Sequence, residues 1–192
     1  MRLATAFSIL ALLASSAQAQ PPARRPAPPQ TMELTSPAWT DGARIPDKFT
    51  QPGHDVSPPL AWNNVPDSAE SFVLIVHDLN ATTADGGEGF LHWLLWNIPK
   101  TSRVLAEGLP AEYQLADGTR QISGSGPWYR GPAAPSFGPV HHYVFELYAL
   151  NAALDIPPAI NQTPAATEAA VRAAMAGKIV GKGVVTGLFR RN

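Results

Sequence analysis

The sequence predicts one mainly β domain of the α+β kind, and three observations carry that prediction. Twenty prolines and fifteen glycines are spread over 192 residues without a repeat, so the chain turns often. Three short apolar runs rich in β-branched and aromatic residues read as strands. A single well-marked helix comes after these strands and does not alternate with them, which separates the chain from the βαβ classes.

The chain opens with an address. Met1–Ala19 has a basic Arg2, an apolar stretch from Leu3 to Ala14, and Ala17-Gln18-Ala19 in the small–x–small form that signal peptidase accepts. The apolar stretch is short for a membrane span, so cleavage after Ala19 is expected, with no transmembrane segment thereafter. The destination is the periplasm or the medium. Residues 20–31 form a Pro-rich linker, extended and solvated. The domain itself occupies residues 32–192.

Ser71–Asp78, His92–Ile98 and His141–Leu150 are the three main strands. Each is apolar on both faces, as central strands covered from both sides are. Thr119–Ser123 and Gly183–Phe189 are weaker strand candidates. Thr163 suits an N-cap, Pro164 the first helical position, and Gly177 the left-handed position after a helix over Ala165–Ala176.

Composition removes several functions. Fourteen basic against fifteen acidic residues leave no electrostatic footprint for nucleic acid. Without cysteine there is no disulfide framework, thiolate nucleophile or lipid-bearing thiol. Neither a P-loop nor a GxGxxG element occurs, and Ser123-Gly124-Ser125-Gly126 is not a nucleophile elbow. No cofactor is expected.

The informative polar residues sit at the ends of apolar strands. Asp78 closes the first main strand and His92 opens the second. If the two pair antiparallel, both lie at one end of the sheet. His141 opens the third strand and shares a face with Tyr143, Phe145 and Leu147, whereas His142 points the other way unless a bulge intervenes. An Asp with two His residues at a sheet edge is open to three readings. It can hold an anion, with imidazoles oriented by the carboxylate. It can ligate zinc, although no short ligand spacing supports that. Or each residue simply caps its strand. His54 and His77 have no evident partner in the sequence.

Several separated motifs then join. Asp55-Val56-Ser57-Pro58-Pro59-Leu60-Ala61-Trp62 with Val65-Pro66 resembles the phosphatidylethanolamine-binding protein family, in its bacterial, Raf-kinase-inhibitor-like branch. Asp78-Leu79-Asn80-Ala81-Thr82 stands where the family has Asp-Pro-Asp-Ala-Pro. His92-Trp93 resembles its His-Trp strand. Tyr129-Arg130-Gly131-Pro132 and His141-His142-Tyr143 are similar to its Gly-Pro loop and His-Arg-Tyr strand. Asn80 replaces the second Asp, and His142 replaces the Arg.

The resemblance implies a large antiparallel sheet packed on a smaller one, with peripheral C-terminal helices. It implies a pocket for phosphate or phosphoethanolamine-like anions lined by Asp78, His92, Tyr129, Gly131, Pro132, His141 and Tyr143. His92 and His141 are expected to donate to the anion. The expected function is therefore an exported small-anion binder, not an enzyme. One alternative is an inhibitor of a protease or kinase acting through the pocket region. Another is a hydrolase using Asp78, His92 and His141. A protein target and a homodimer are both compatible with the resemblance.

Overall fold

A computed structural model describes residues 28–82 and 88–192. The predicted signal segment 1–19 and most of the linker lie outside the described residues. Ten strands and one α-helix are found among those described. They are β1 (Gln30–Thr31), β2 (Glu33–Thr35), β3 (Ala43–Arg44), β4 (Leu60–Asn63), β5 (Ser71–Thr82), β6 (Glu88–Pro99), β7 (Val104–Leu105), β8 (Arg120–Ile122), β9 (His141–Leu150), α1 (Pro164–Met175) and β10 (Ile179–Phe189). A single 3-10 turn occupies Asp47–Phe49. Gln30 and Thr31, assigned to the linker by composition, already pair with β10.

The large sheet has seven strands, ordered β1-β10-β9-β5-β6-β8, with β3 also paired to β10. Its central ladders are antiparallel, and the edge pairings of β1 and β3 with β10 are parallel. The small sheet is β2-β4-β7. The three strongly apolar runs are the central strands β9, β5 and β6. Their double-sided apolarity has a plain cause. Phe72, Leu74, Val76, Trp93, Leu95 and Phe145 face the small sheet, where Leu34, Leu60 and Trp62 complete the core. Val73, Ile75, Leu94 and Trp96 face α1 through Val171 and Met175. Fully burying one such side chain contributes roughly 1.5–3 kcal/mol, so both faces hold the sheet strongly.

Both main strands at the hairpin run past the residues their apolar patterns predict. β5 continues to Thr82 and β6 begins at Glu88, so much of the expected loop is ladder. Leu79 there is 63% exposed. This end projects from the core, and without burial it carries no apolar periodicity.

One helix stands where the resemblance implies several. Its punctuation follows the sequence closely. Thr163 is the N-cap, its side-chain oxygen accepting from the Ala166 N–H at 3.2 Å, and Pro164 opens the helix. Gly177, with φ of 72°, follows the C-cap in the left-handed region open to glycine.

Candidate functional site

The antiparallel register sets Asp78 of β5 opposite Phe90 of β6 on one side and opposite Tyr143 of β9 on the other. His141 lies two residues before Tyr143, on the same face. Its Nδ1–H donates to Asp78 Oδ2 at 2.7 Å, since a carboxylate only accepts. Asp78 Oδ1 accepts from the backbone N–H groups of Asn80 at 2.9 Å and Ala81 at 3.2 Å. The carboxylate is buried, and a local turn and the third strand together hold it in place.

His92 reaches this site through a register shift. Val76 pairs with Trp93, whereas His77 pairs with Leu91, so one step along β5 matches two along β6. His92 is the extra residue of a β-bulge. Strict alternation would place it with Leu94 on the helix side of the sheet. The bulge turns it to the side of Asp78, Phe90 and Tyr143.

Two hydrogen bonds then lock His92 to the 129–135 segment. The Arg130 N–H donates to the His92 carbonyl at 2.9 Å, and His92 Nδ1–H donates to the Arg130 carbonyl at 2.5 Å. Phe90 and Tyr143 present ring edges to the imidazole at centroid distances of 4.9 and 5.0 Å. Burial lowers the His92 pKa to about 4, against the opposing pull of the Arg130 carbonyl and Asp78. His92 is therefore a neutral imidazole at ordinary pH. Burial likewise pushes the Tyr143 phenol up, and the neighbouring Asp78 adds to that. Tyr143 keeps its proton.

These residues line a cavity of about 530 Å³. Asp78, His92, His141 and Tyr143 form its polar side. Gln51 and Arg130 also line it, and Phe90, Ala81, Ala133, Ala134 and Pro135 supply apolar surface. Arg130 is the permanent cation and Asp78 the carboxylate among the described lining residues.

The structure thus brings four of the seven expected site residues to one cavity, and it places the other three behind its wall. Tyr129 is in the core, donating its hydroxyl to the Phe49 carbonyl at 3.0 Å and packing on Trp93. Gly131 donates its N–H to Asp55 Oδ1 at 2.5 Å, and a Cβ there would meet the Phe49 carbonyl oxygen at 2.5 Å. The Pro132 carbonyl accepts from the Gln51 N–H at 3.0 Å. All three clamp the 49–55 segment to the 129–132 segment, and so hold Gln51 at the cavity. Arg130, Gln51 and Phe90 are among the lining residues outside the expected set. Arg130 lies within the Tyr129–Pro132 motif, but outside any strand, so no periodicity marked its direction.

Of the two histidines without an evident partner in the sequence, His77 finds partners. His77 points to the helix side, where Glu168 lies 3.0 Å from Nε2 and Arg172 lies 3.4 Å from Nδ1. Burial alone would raise the Glu168 carboxyl, but the hydrogen bonds from His77 and Arg172 hold it below its ordinary value. His54 is exposed. The two departures Asn80 and His142 meet each other: Asn80 Oδ1 accepts from the His142 N–H at 2.8 Å and from its Nδ1–H at 3.0 Å. Among the described residues, no three His, Asp or Glu side chains converge as a metal site.

The fold agrees with that of known proteins. The chain belongs to the phosphatidylethanolamine-binding protein family, whose model matches residues 35–190. A UPF0098 protein of Methanothermobacter thermautotrophicus is 40% identical over 162 residues, covering 83% of this chain and 99% of its own. A protein named as a lipoprotein, LppC of Mycobacterium tuberculosis, is 35% identical over 162 residues, covering 83% and 76%. Among solved structures, a phosphatidylethanolamine-binding protein homologue from Chlamydia trachomatis superposes with a TM-score of 0.70 at 30% identity, covering 85% of this chain and 99% of that one.

Proposed function

We propose that this chain is an exported binding protein whose cavity takes a small phosphate-like anion. The observation that carries the reading is Arg130, a permanent cation among the residues lining a cavity whose other polar groups are held in place, with its charge near enough to His92 to oppose protonation of the ring. Asp78, His141, His92 and the Arg130 backbone are fixed by mutual hydrogen bonds, so little ordering is left for binding to impose. The cavity is of small-ligand size. His141 and Arg130 face the anion, and the apolar wall accommodates its substituent. Export is supported by the Met1–Ala19 pattern and by the lipoprotein name of a relative. No helix among the described residues is long and apolar enough to cross a membrane.

Titration calorimetry with inorganic phosphate tests the reading. Arg130→Gln is expected to weaken binding about tenfold or more, since a hydrogen bond to a charged group contributes roughly 1.5–3 kcal/mol. The variant should keep its melting temperature, because the guanidinium makes no hydrogen bond to the described residues. Absence of phosphate binding by the unaltered protein would remove the proposal.

A further inference from the structure

The cavity's hydrogen-bond polarity is more specific than its charge. His92 Nδ1 faces the carbonyl oxygen of Arg130, which can only accept, so the proton of the neutral ring is on Nδ1. The Arg130 N–H holds the same two residues from the opposite direction, and a flipped ring would set a C–H against the carbonyl. The remaining ring nitrogen, Nε2, therefore carries a lone pair. It makes no hydrogen bond with the described residues, on a side chain that lines the cavity. The sequence-based expectation that His92 donates to an anion is reversed by this geometry: His92 accepts.

Neighbouring acceptors are already engaged. Asp78 Oδ1 takes two backbone N–H groups and Oδ2 takes His141. Tyr143 is directed at Asp78 and at the 133–134 backbone. The charged and titratable groups around His92 are Asp78 from β5, Tyr143 and His141 from β9, and Arg130 from the 129–135 segment, with His77 of β5 acting from the opposite face of the sheet. Burial keeps the ring neutral through the physiological range.

Resting on the anion-binding reading above, we infer that His92 Nε2 selects a phosphate group that carries its own proton. The P–O–H donates to Nε2 while the ionised oxygens face Arg130. Hydrogen phosphate and singly ionised phosphomonoesters satisfy this. Sulfate and phosphodiesters, including the diester of an intact phospholipid, carry no such hydrogen and leave Nε2 facing an acceptor. An unmatched buried acceptor pair is penalised strongly, which is how one proton becomes discriminating.

The experiment is calorimetry at pH 8 with three probes: inorganic phosphate, sulfate and dimethyl phosphate. Hydrogen phosphate and sulfate are then dianions of the same shape that differ by one proton. The expected result is phosphate binding at least about tenfold tighter than sulfate or dimethyl phosphate. In His92→Asn, whose amide can donate as well as accept, the phosphate-to-sulfate ratio should collapse to within about threefold. Equal binding of phosphate and sulfate by the unaltered protein overturns this inference and leaves the anion-binding reading standing. Tighter binding of dimethyl phosphate overturns it in favour of a lipid diester. A ratio that persists in folded His92→Asn overturns the assignment to His92. If that variant does not fold, the ratio in the unaltered protein decides. Failure of all three probes to bind overturns the anion-binding reading, and this inference with it.

Discussion

His92 and Arg130 hold each other by two hydrogen bonds that run in opposite directions, one from the Arg130 backbone N–H and one from the His92 ring. The pair joins a bulge in β6 to the segment that follows Tyr129. It fixes the tautomer of a buried imidazole and sets Arg130 among the residues that line the same cavity. The proposed hydrogen-bearing anion rests on this pairing of a fixed acceptor with a permanent cation at one cavity.

The burial of His92 has a measurable pH consequence. Its pKa is lowered from 6.5 to about 4, so the folded state binds this proton less readily than the unfolded chain. The contribution to stability is present above the unfolded value and is lost as pH falls from about 6.5 to about 4. The expected loss is ~3 kcal/mol, from 1.36 kcal/mol per pKa unit. Urea titrations across that range should show this slope, and His92→Asn should lack it. A slope unchanged in the variant would contradict the assignment.

Asp78 is a structural hub as well as a cavity group. Replacing it with Ala leaves the Asn80 and Ala81 N–H groups and His141 Nδ1–H without their acceptor. The expected destabilisation is about 2–4 kcal/mol, since each buried unsatisfied group costs roughly 1–3 kcal/mol and the turn is partly open to water. Chemical denaturation should also show Asp78→Asn to be milder, because the amide oxygen can still accept from the turn.

Gly131 tests the clamp behind the cavity. A Cβ there would lie 2.5 Å from the Phe49 carbonyl oxygen and 2.6 Å from Asp55 Oδ1. The Phe49 carbonyl and Thr50 Cα, the latter 2.9 Å away, are backbone and cannot yield without moving the 49–55 segment. Gly131→Ala should cost roughly 1–3 kcal/mol, as overpacking does. It should also weaken phosphate binding, because Gln51 moves with its segment. Unchanged thermal melting and unchanged affinity would show that the clamp is soft.

Much of the fold was legible in the chain. The two-sided apolar runs identified the central strands because both faces of β5 and β6 are covered, one by the small sheet and one by α1, whereas β9 buries mainly the face toward the small sheet. The helix was legible because Thr163, Pro164 and Gly177 act locally. The projecting end of the β5–β6 hairpin was not, since exposed ladder carries no burial signal. At the site, Asp78 and His141 stood out as polar residues at strand ends, parity put Tyr143 on the face of His141, and the family resemblance added Tyr143 to the expected lining. His92 also reaches the cavity, but parity alone would have turned it away.

What the sequence determined by itself was therefore local and periodic: strands, caps, turns, the absence of thiol chemistry, and the family its motifs resemble. The tertiary structure decided which way the polar groups face. A one-residue bulge reverses a side chain without altering composition, and it brought His92 to Asp78. Close backbone approach sent Tyr129 and Gly131 behind the wall and left Arg130 on it. Whether His92 donates or accepts depends on a carbonyl 38 positions away in the chain. No periodicity encodes a contact of that range, because it forms only when separate segments are packed together.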